Sequence, residues 1–135
     1  MDKIVKIDGK ECLLRTNAAL PRLYRLLLRR ELFDDMGTML RTVASVYQAQ
    51  TDKKAKAPSV RDQLDMLTLV ENIAFAMHKN GDAAQPNTVE EWLAQFEDEA
   101  ALMEPDLLAA ITDLWNHETE TTSTEKKKKE QSTGE

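Results

Sequence analysis

Two short aliphatic runs, Ile4-Val5-Lys6-Ile7 and Cys12-Leu13-Leu14, flank the pair Asp8-Gly9. This pattern predicts a β-hairpin over 4–15, because Asp-Gly suits a two-residue type I′ turn that needs positive φ at both positions. A lone hairpin is marginal in water, so it must lie on a helix or join a neighbour's sheet edge. The period then changes. Leu20, Leu23, Tyr24, Leu27 and Leu28 recur at i, i+3, i+4, i+7 and i+8, the spacing of one helical face. Thr16 or Asn17 is its candidate N-cap, and Pro21 predicts a tight first turn or a late start.

Met36, Met39, Leu40, Val43 and Tyr47 mark a second amphipathic helix, weakened by Gly37, and residues 49–58 read as a polar connector. Ser59 and Asp62 resemble a capping box ahead of a third helix over about 60–79. Its stretch from Met66 to Met77 is apolar nearly all round, which predicts the central, most buried helix, ended by Asn80-Gly81-Asp82. Thr88 and Glu91 form a second box ahead of Val89, Trp92, Leu93 and Phe96. Pro105 suits the first position of a last helix with Leu107, Leu108, Ile111, Leu114 and Trp115 as its buried stripe. The predicted fold is mostly α (α+β): one small bundle of about five helices with an N-terminal hairpin, over residues 1–117. Every apolar residue lies before 118, so 118–135 is expected to be a disordered charged tail.

Charge changes this picture more than composition does. The chain carries a net charge of −6. Residues 1–61 hold 13 Lys+Arg against 7 Asp+Glu, whereas 62–117 hold one against 12. The acidic half argues against a nucleic-acid binder. The two halves either neutralise each other within one fold, or attract a charged partner or further copies of the chain. No apolar run approaches the length of a membrane span. The N-terminus shows no apolar leader segment, and the single cysteine, Cys12, cannot form an internal disulfide. The expected compartment is a reducing cytoplasm, with no membrane partner.

Candidate chemistry is sparse. His78 and His117 are the histidines, and Gly9, Gly37, Gly81 and Gly134 the glycines. Neither a metal-ligand spacing nor a phosphate-binding loop can be assembled from them, so no catalytic, cofactor-binding or metal residue is assigned and an enzyme is not expected. His78 reads as a cation beside a helix C-terminus, Cys12 as a small buried hydrophobe, and Glu90 with Glu91 as acids at a helix start. Arg22, Arg25 and Arg29 fall at i, i+3 and i+7, opposite the apolar stripe of the first helix, with Arg30 beside them. They are a solvated face, or they pair with the acidic second half of the chain, or they form a docking surface for an acidic partner, since Arg pairs carboxylates bidentately.

The order of parts resembles a known family. The relevant stretches are IVKIDGKECLLR over 4–15, TNAALPRLYR over 16–25, LVENIAFAMHK over 69–79, VEEWLAQF over 89–96 and DLWNHETETTS over 113–123, with a lysine-rich end. Together they resemble the tail assembly chaperones of long-tailed phages and prophages of Gram-positive bacteria, over about residues 3–130. These are packing signatures rather than chemical motifs. The family often has an aromatic–Gly–Arg–Asp turn after the first helix; here Arg29-Arg30-Glu31-Leu32-Phe33-Asp34-Asp35 lacks the glycine, which leaves the geometry of that turn open.

The resemblance implies a non-enzymatic helper that coats the tape measure protein in the host cytoplasm, keeps it soluble, and is absent from the finished virion. It also implies a longer product of programmed frameshifting, whose extension contacts the tail tube protein. Lys126–Lys129 require A-rich codons, so the run is either a slippery site or a solubilising tail. A different class remains open: a small helical phage-encoded adaptor that inhibits a host protein, docking through Arg22, Arg25 and Arg29.

Overall fold

The computed structural model describes residues 1–116; the expectations for His117, the 118–135 tail and Lys126–Lys129 lie outside them. Strands β1 (Asp2–Ile7) and β2 (Lys10–Arg15) form the predicted antiparallel hairpin, in register from Asp2↔Arg15 to Ile7↔Lys10. Asp8 and Gly9 both take positive φ, 53° and 76°, as a type I′ turn requires. Val5, Ile7, Cys12 and Leu14 form the buried face of the ribbon. Five helices follow among the described residues: α1 (Leu20–Leu28), α2 (Leu32–Thr51), α3 (Val60–Gly81), α4 (Val89–Leu93) and α5 (105–116). A 3₁₀ turn, Ala101–Met103, precedes α5. The result is the expected mostly helical α+β fold with one contiguous apolar core.

α3 is the axis. Residues Leu69–His78 are buried with the single exception of Glu71, and β2, α1, α2 and α4 all pack against α3. Both predicted caps form: Ser59 Oγ accepts from Asp62 N at 3.1 Å and Thr88 Oγ1 from Glu91 N at 3.2 Å. α3 runs two residues past Lys79, through Gly81, because β2 supports its last turn. Asn80 Nδ2 donates to the Arg15 carbonyl at 3.0 Å there. At Gly81 a side chain would have no room, since a Cβ would stand 2.6 Å from the Leu13 carbonyl oxygen. Gly81→Ala is therefore expected to cost about 1–2 kcal/mol, the overpacking penalty less the helix propensity alanine gains. A urea titration checks this; an unchanged or raised midpoint would show that the contact relaxes freely.

Several boundaries differ from expectation. Ala19, not Thr16 or Asn17, is the N-cap of α1, although Asn17 Oδ1 accepts from Ala19 N at 3.0 Å. The late start places Pro21 at the second helical position, where a missing N–H costs nothing. α2 begins at Leu32, four residues before Met36, since Asp34 and Asp35 serve as first-turn acids rather than turn residues. It also runs to Thr51, into the predicted connector. α4 stops at Leu93, leaving Phe96 beyond it. The Phe96 ring still meets the Trp92 ring edge-on at 5.0 Å. Lys10 Nζ donates to the Gln95 carbonyl at 2.7 Å and Asp8 Oδ2 accepts from Glu97 N at 2.8 Å, so the hairpin tip holds this segment.

Tyr47 is the clearest misplacement: predicted on a core-facing stripe, it is 66% exposed. Met36 and Met39 are buried and Leu40 packs against the core, whereas further along the same face Val43 is only half-buried and Tyr47 lies open.

Candidate partner-binding groove

The three predicted docking arginines are all exposed, and they do not form one free face. Arg22 lies on the outer side of α1. Arg25 forks onto Glu31, with Nε at 2.8 Å and Nη2 at 3.0 Å from the two carboxylate oxygens. Arg29 has left the helix: its φ of 58° is the left-handed conformation that ends α1, and its N–H returns to the Arg25 carbonyl at 2.9 Å. An arginine thus takes the αL role that usually falls to glycine at a helix C-terminus.

Arg30, beside that stripe, turns inward. Its Nε and Nη2 donate to the two oxygens of Asp35 at 2.7 and 2.8 Å, and the buried Tyr24 hydroxyl donates to Asp35 Oδ2. Burial pushes the Asp35 carboxyl up, but Arg30 and Tyr24 more than offset it and hold it below the usual carboxylate range. Burial, with Asp35 adding to it, raises the Tyr24 phenol. This triad clamps the α1–α2 corner. Most ion pairing in the basic half is local; Lys3 Nζ to Asp113, at 2.8 Å, is the one ion pair among the described residues that joins distant parts of the two halves.

His78 corrects the sequence reading. It is not a cation at a helix end but a buried acceptor, its Nδ1 taking the Trp92 indole N–H at 3.0 Å. Burial pushes its imidazole below the ordinary value of 6.5, with Asp82 pulling the other way. Below pH 6.5 the unfolded chain binds a proton that the native site resists. Stability should therefore fall with pH from 6.5 downward, by at most about 1.4 kcal/mol per pH unit, and level off below the native pKa. His78→Gln keeps an acceptor for Trp92 and removes this slope. Parallel pH–stability curves for the two proteins would exclude His78 as its source.

The site that the sequence did not reveal is a groove of about 830 Å³ between the second half of α2 and the first half of α3. Val43, Val46 and Tyr47 line one wall, and Val60, Leu64 and Leu67 the other. The buried Val70 and Leu102 form its floor, while Met103, Glu104, Pro105 and Leu108 close one end. The cause lies in helix lengths. Trp115, late in α5, packs edge-on against Phe33, early in α2, at 5.3 Å. Pro105 and Leu108, at the start of α5, share the groove with Val43 and Val46. α5 thus runs back along α2 and begins only halfway along it. Beyond that point, among the described residues, no third helix covers the paired faces of α2 and α3. Tyr47, Val60, Leu64 and Met103 are 66%, 74%, 57% and 64% exposed, an apolar concavity of the kind that accepts an amphipathic helix.

The groove offers no reacting group. Cys12 lies elsewhere, buried under the hairpin, and burial pushes its thiol up. Among the described residues no three His, Cys, Asp or Glu side chains gather as a metal site, and no helix is long and apolar enough to cross a membrane. Compared with protein-family models, curated proteins and solved structures, this chain matches none.

Proposed function

We propose that this protein is a phage or prophage tail assembly chaperone that binds the tape measure protein and keeps it soluble while the tail is built. The observation that carries the proposal is the exposed apolar groove between α2 and α3. A tape measure chain presents apolar helical stripes until tail tube subunits enclose it, and an apolar groove on a small helical protein can cover such a stripe. One groove per molecule gives weak binding at each point. Many copies along one rod hold it collectively and can still be displaced one by one. The chaperone acts in the bacterial cytoplasm and leaves before the virion is complete. A frameshifted longer product would carry an extension towards the tail tube protein. The rival adaptor reading depends on a free arginine face, and the fork of Arg25 onto Glu31 leaves it less to work with.

Co-expression with the long helical reading frame downstream of the gene tests the proposal. The expected result is a soluble complex, with many copies of this protein per tape measure chain by light scattering. A downstream protein that is equally soluble alone and never co-elutes would overturn it.

A further inference from the structure

We propose that this protein pairs with a second copy of itself through β1, the two strands running antiparallel about a two-fold axis with Ile4 opposite the partner's Ile4. This pairing does not depend on the chaperone reading.

The hairpin has one covered edge and one open edge. Its two-residue turn makes Ile7 and Lys10 a hydrogen-bonded pair. The alternation of an antiparallel ladder then aims the backbone groups of residues 3 and 5 at β2, and those of 2, 4 and 6 away from it. The far end of the ribbon keeps the same phase: Thr16 N donates to the Met1 carbonyl at 2.8 Å, and the Met1 amine donates to the Thr16 carbonyl. On β2 the outward carbonyls meet α3. That of Leu13 lies against Gly81, and that of Arg15 accepts from Asn80 Nδ2. On β1 no further strand follows. Among the described residues, no hydrogen bond reaches the outward N–H and C=O groups of Asp2, Ile4 and Lys6. An unpaired strand edge is a template for another chain, and Ile4, at its centre, is 64% exposed.

The side chains choose the partner. Asp2, Ile4 and Lys6 alternate with the buried Val5 and Ile7, so all three stand on the outer face of the ribbon. Antiparallel pairing centred on Ile4 sets Asp2 opposite the partner's Lys6 and Lys6 opposite the partner's Asp2, with the two isoleucines between them. Each of these three pairs exchanges both backbone bonds, about six in all. A slip of two residues either way opposes Ile4 to a charge, the partner's Lys6 or the partner's Asp2, and the match is lost. Parallel pairing would bring like charges together.

Lysine on an edge strand ordinarily deters pairing. Here Lys3 Nζ is held by Asp113 at 2.8 Å. Lys6 is in no ion pair among the described residues, and the partner's Asp2 answers it. Asp2 is already fixed by its fork with Arg15, at 2.7 and 2.9 Å, so its carboxylate is in place before the second copy arrives. Two ribbons become one four-stranded sheet, a firmer unit than a hairpin. The contact is self-complementary, so it closes at two copies. A contact this small is weak, with a Kd on the order of 10–100 μM.

Sedimentation velocity of the full chain over roughly 1–500 μM, a span that brackets this Kd, should show a monomer–dimer equilibrium. Ile4→Pro removes an outward donor without breaking a ladder bond and should leave a monomer throughout. Lys6→Asp makes the outer face of the edge acidic, and Asp2→Lys makes it basic. Each alone should weaken self-pairing by about tenfold or more, since two attractive cross-strand pairs become repulsive. An equimolar mixture of these two variants should form a heterodimer of about wild-type strength, read by native mass spectrometry. Thermal unfolding checks that every variant is folded. A monomer at all concentrations would overturn the proposal. So would a dimer that survives Ile4→Pro; if Leu64→Asp dissociates it, the contact lies in the α2–α3 groove instead. A dimeric wild type whose two charge variants fail to pair with each other would overturn the antiparallel register. Tape-measure solubilisation is read separately by co-expression, so either reading can fail while the other stands.

Discussion

Asp35→Ala is expected to lower the unfolding free energy by about 2–3 kcal/mol. The carboxylate is 5% exposed and takes three hydrogen bonds, two from Arg30 and one from Tyr24. Removing one partner of a buried charged pair typically costs about 3–5 kcal/mol. Here the figure is reduced because the Arg30 side chain is 52% exposed and can return to water. The Tyr24 hydroxyl cannot, and its stranding alone accounts for about 1–3 kcal/mol. Against a total stability of about 5–15 kcal/mol, this is enough to loosen the α1–α2 corner. Tyr24→Phe is the control: it removes the stranded hydroxyl while leaving Asp35 with Arg30, and should cost only about 1 kcal/mol. The double variant should cost less than the two losses added, because the groups act as one network. Urea unfolding followed by circular dichroism measures all three. An Asp35→Ala midpoint no lower than that of Tyr24→Phe would show that the carboxylate does not hold the corner. The low carboxyl pKa gives the same site a pH signature. Its contribution is present above the ordinary value of 3.8 and is lost as pH falls below it.

The largest functional effect is expected at the groove. Under the proposed chaperone function, Leu64→Asp with Tyr47→Asp should abolish solubilisation of the tape measure protein while leaving the fold intact. Both side chains are more than half exposed, so their replacement costs the free protein little. In a complex each aspartate would be buried against an apolar stripe with no partner. The penalty is several kcal/mol, a loss of affinity of about 100-fold or more. The readout is the soluble fraction of the tape measure protein on co-expression, with thermal unfolding of the variant as the check on folding. Wild-type solubilisation by the double variant would remove the groove from the mechanism. The matched test on α1, reversing the charge of Arg22, Arg25 and Arg29, should leave solubilisation unchanged.

Asp8-Gly9, Ser59 with Asp62, and Thr88 with Glu91 form the turn and the two caps expected from sequence. Each is a contact between residues at most three apart, so the local chain specifies it whatever surrounds it. The buried middle of α3 was legible for a related reason: a segment apolar all round has nowhere to go except the centre. Candidate-site legibility was poorer. Arg25 and Glu31 sit close in sequence, yet their fork depends on Arg29 adopting αL, which nothing local to Arg29 requires. Tyr47 and Val43 carry the helical spacing of a core stripe, and that spacing cannot say whether another helix arrives to cover it.

By itself, then, the sequence determined the order of hairpin and helices, the caps of α3 and α4, the hairpin turn and which helix lies at the centre, because periodicity and turn chemistry act over a few residues. Tertiary structure decided the rest. The Trp92 indole reaches His78 across 14 positions and makes it an acceptor rather than a cation. Gly81 meets the Leu13 carbonyl across the hairpin–helix junction. α5 begins halfway along α2 and leaves an apolar groove where sequence periodicity implied a filled core. All three depend on how far one packed element extends past another, a length fixed only when the whole chain closes around its core.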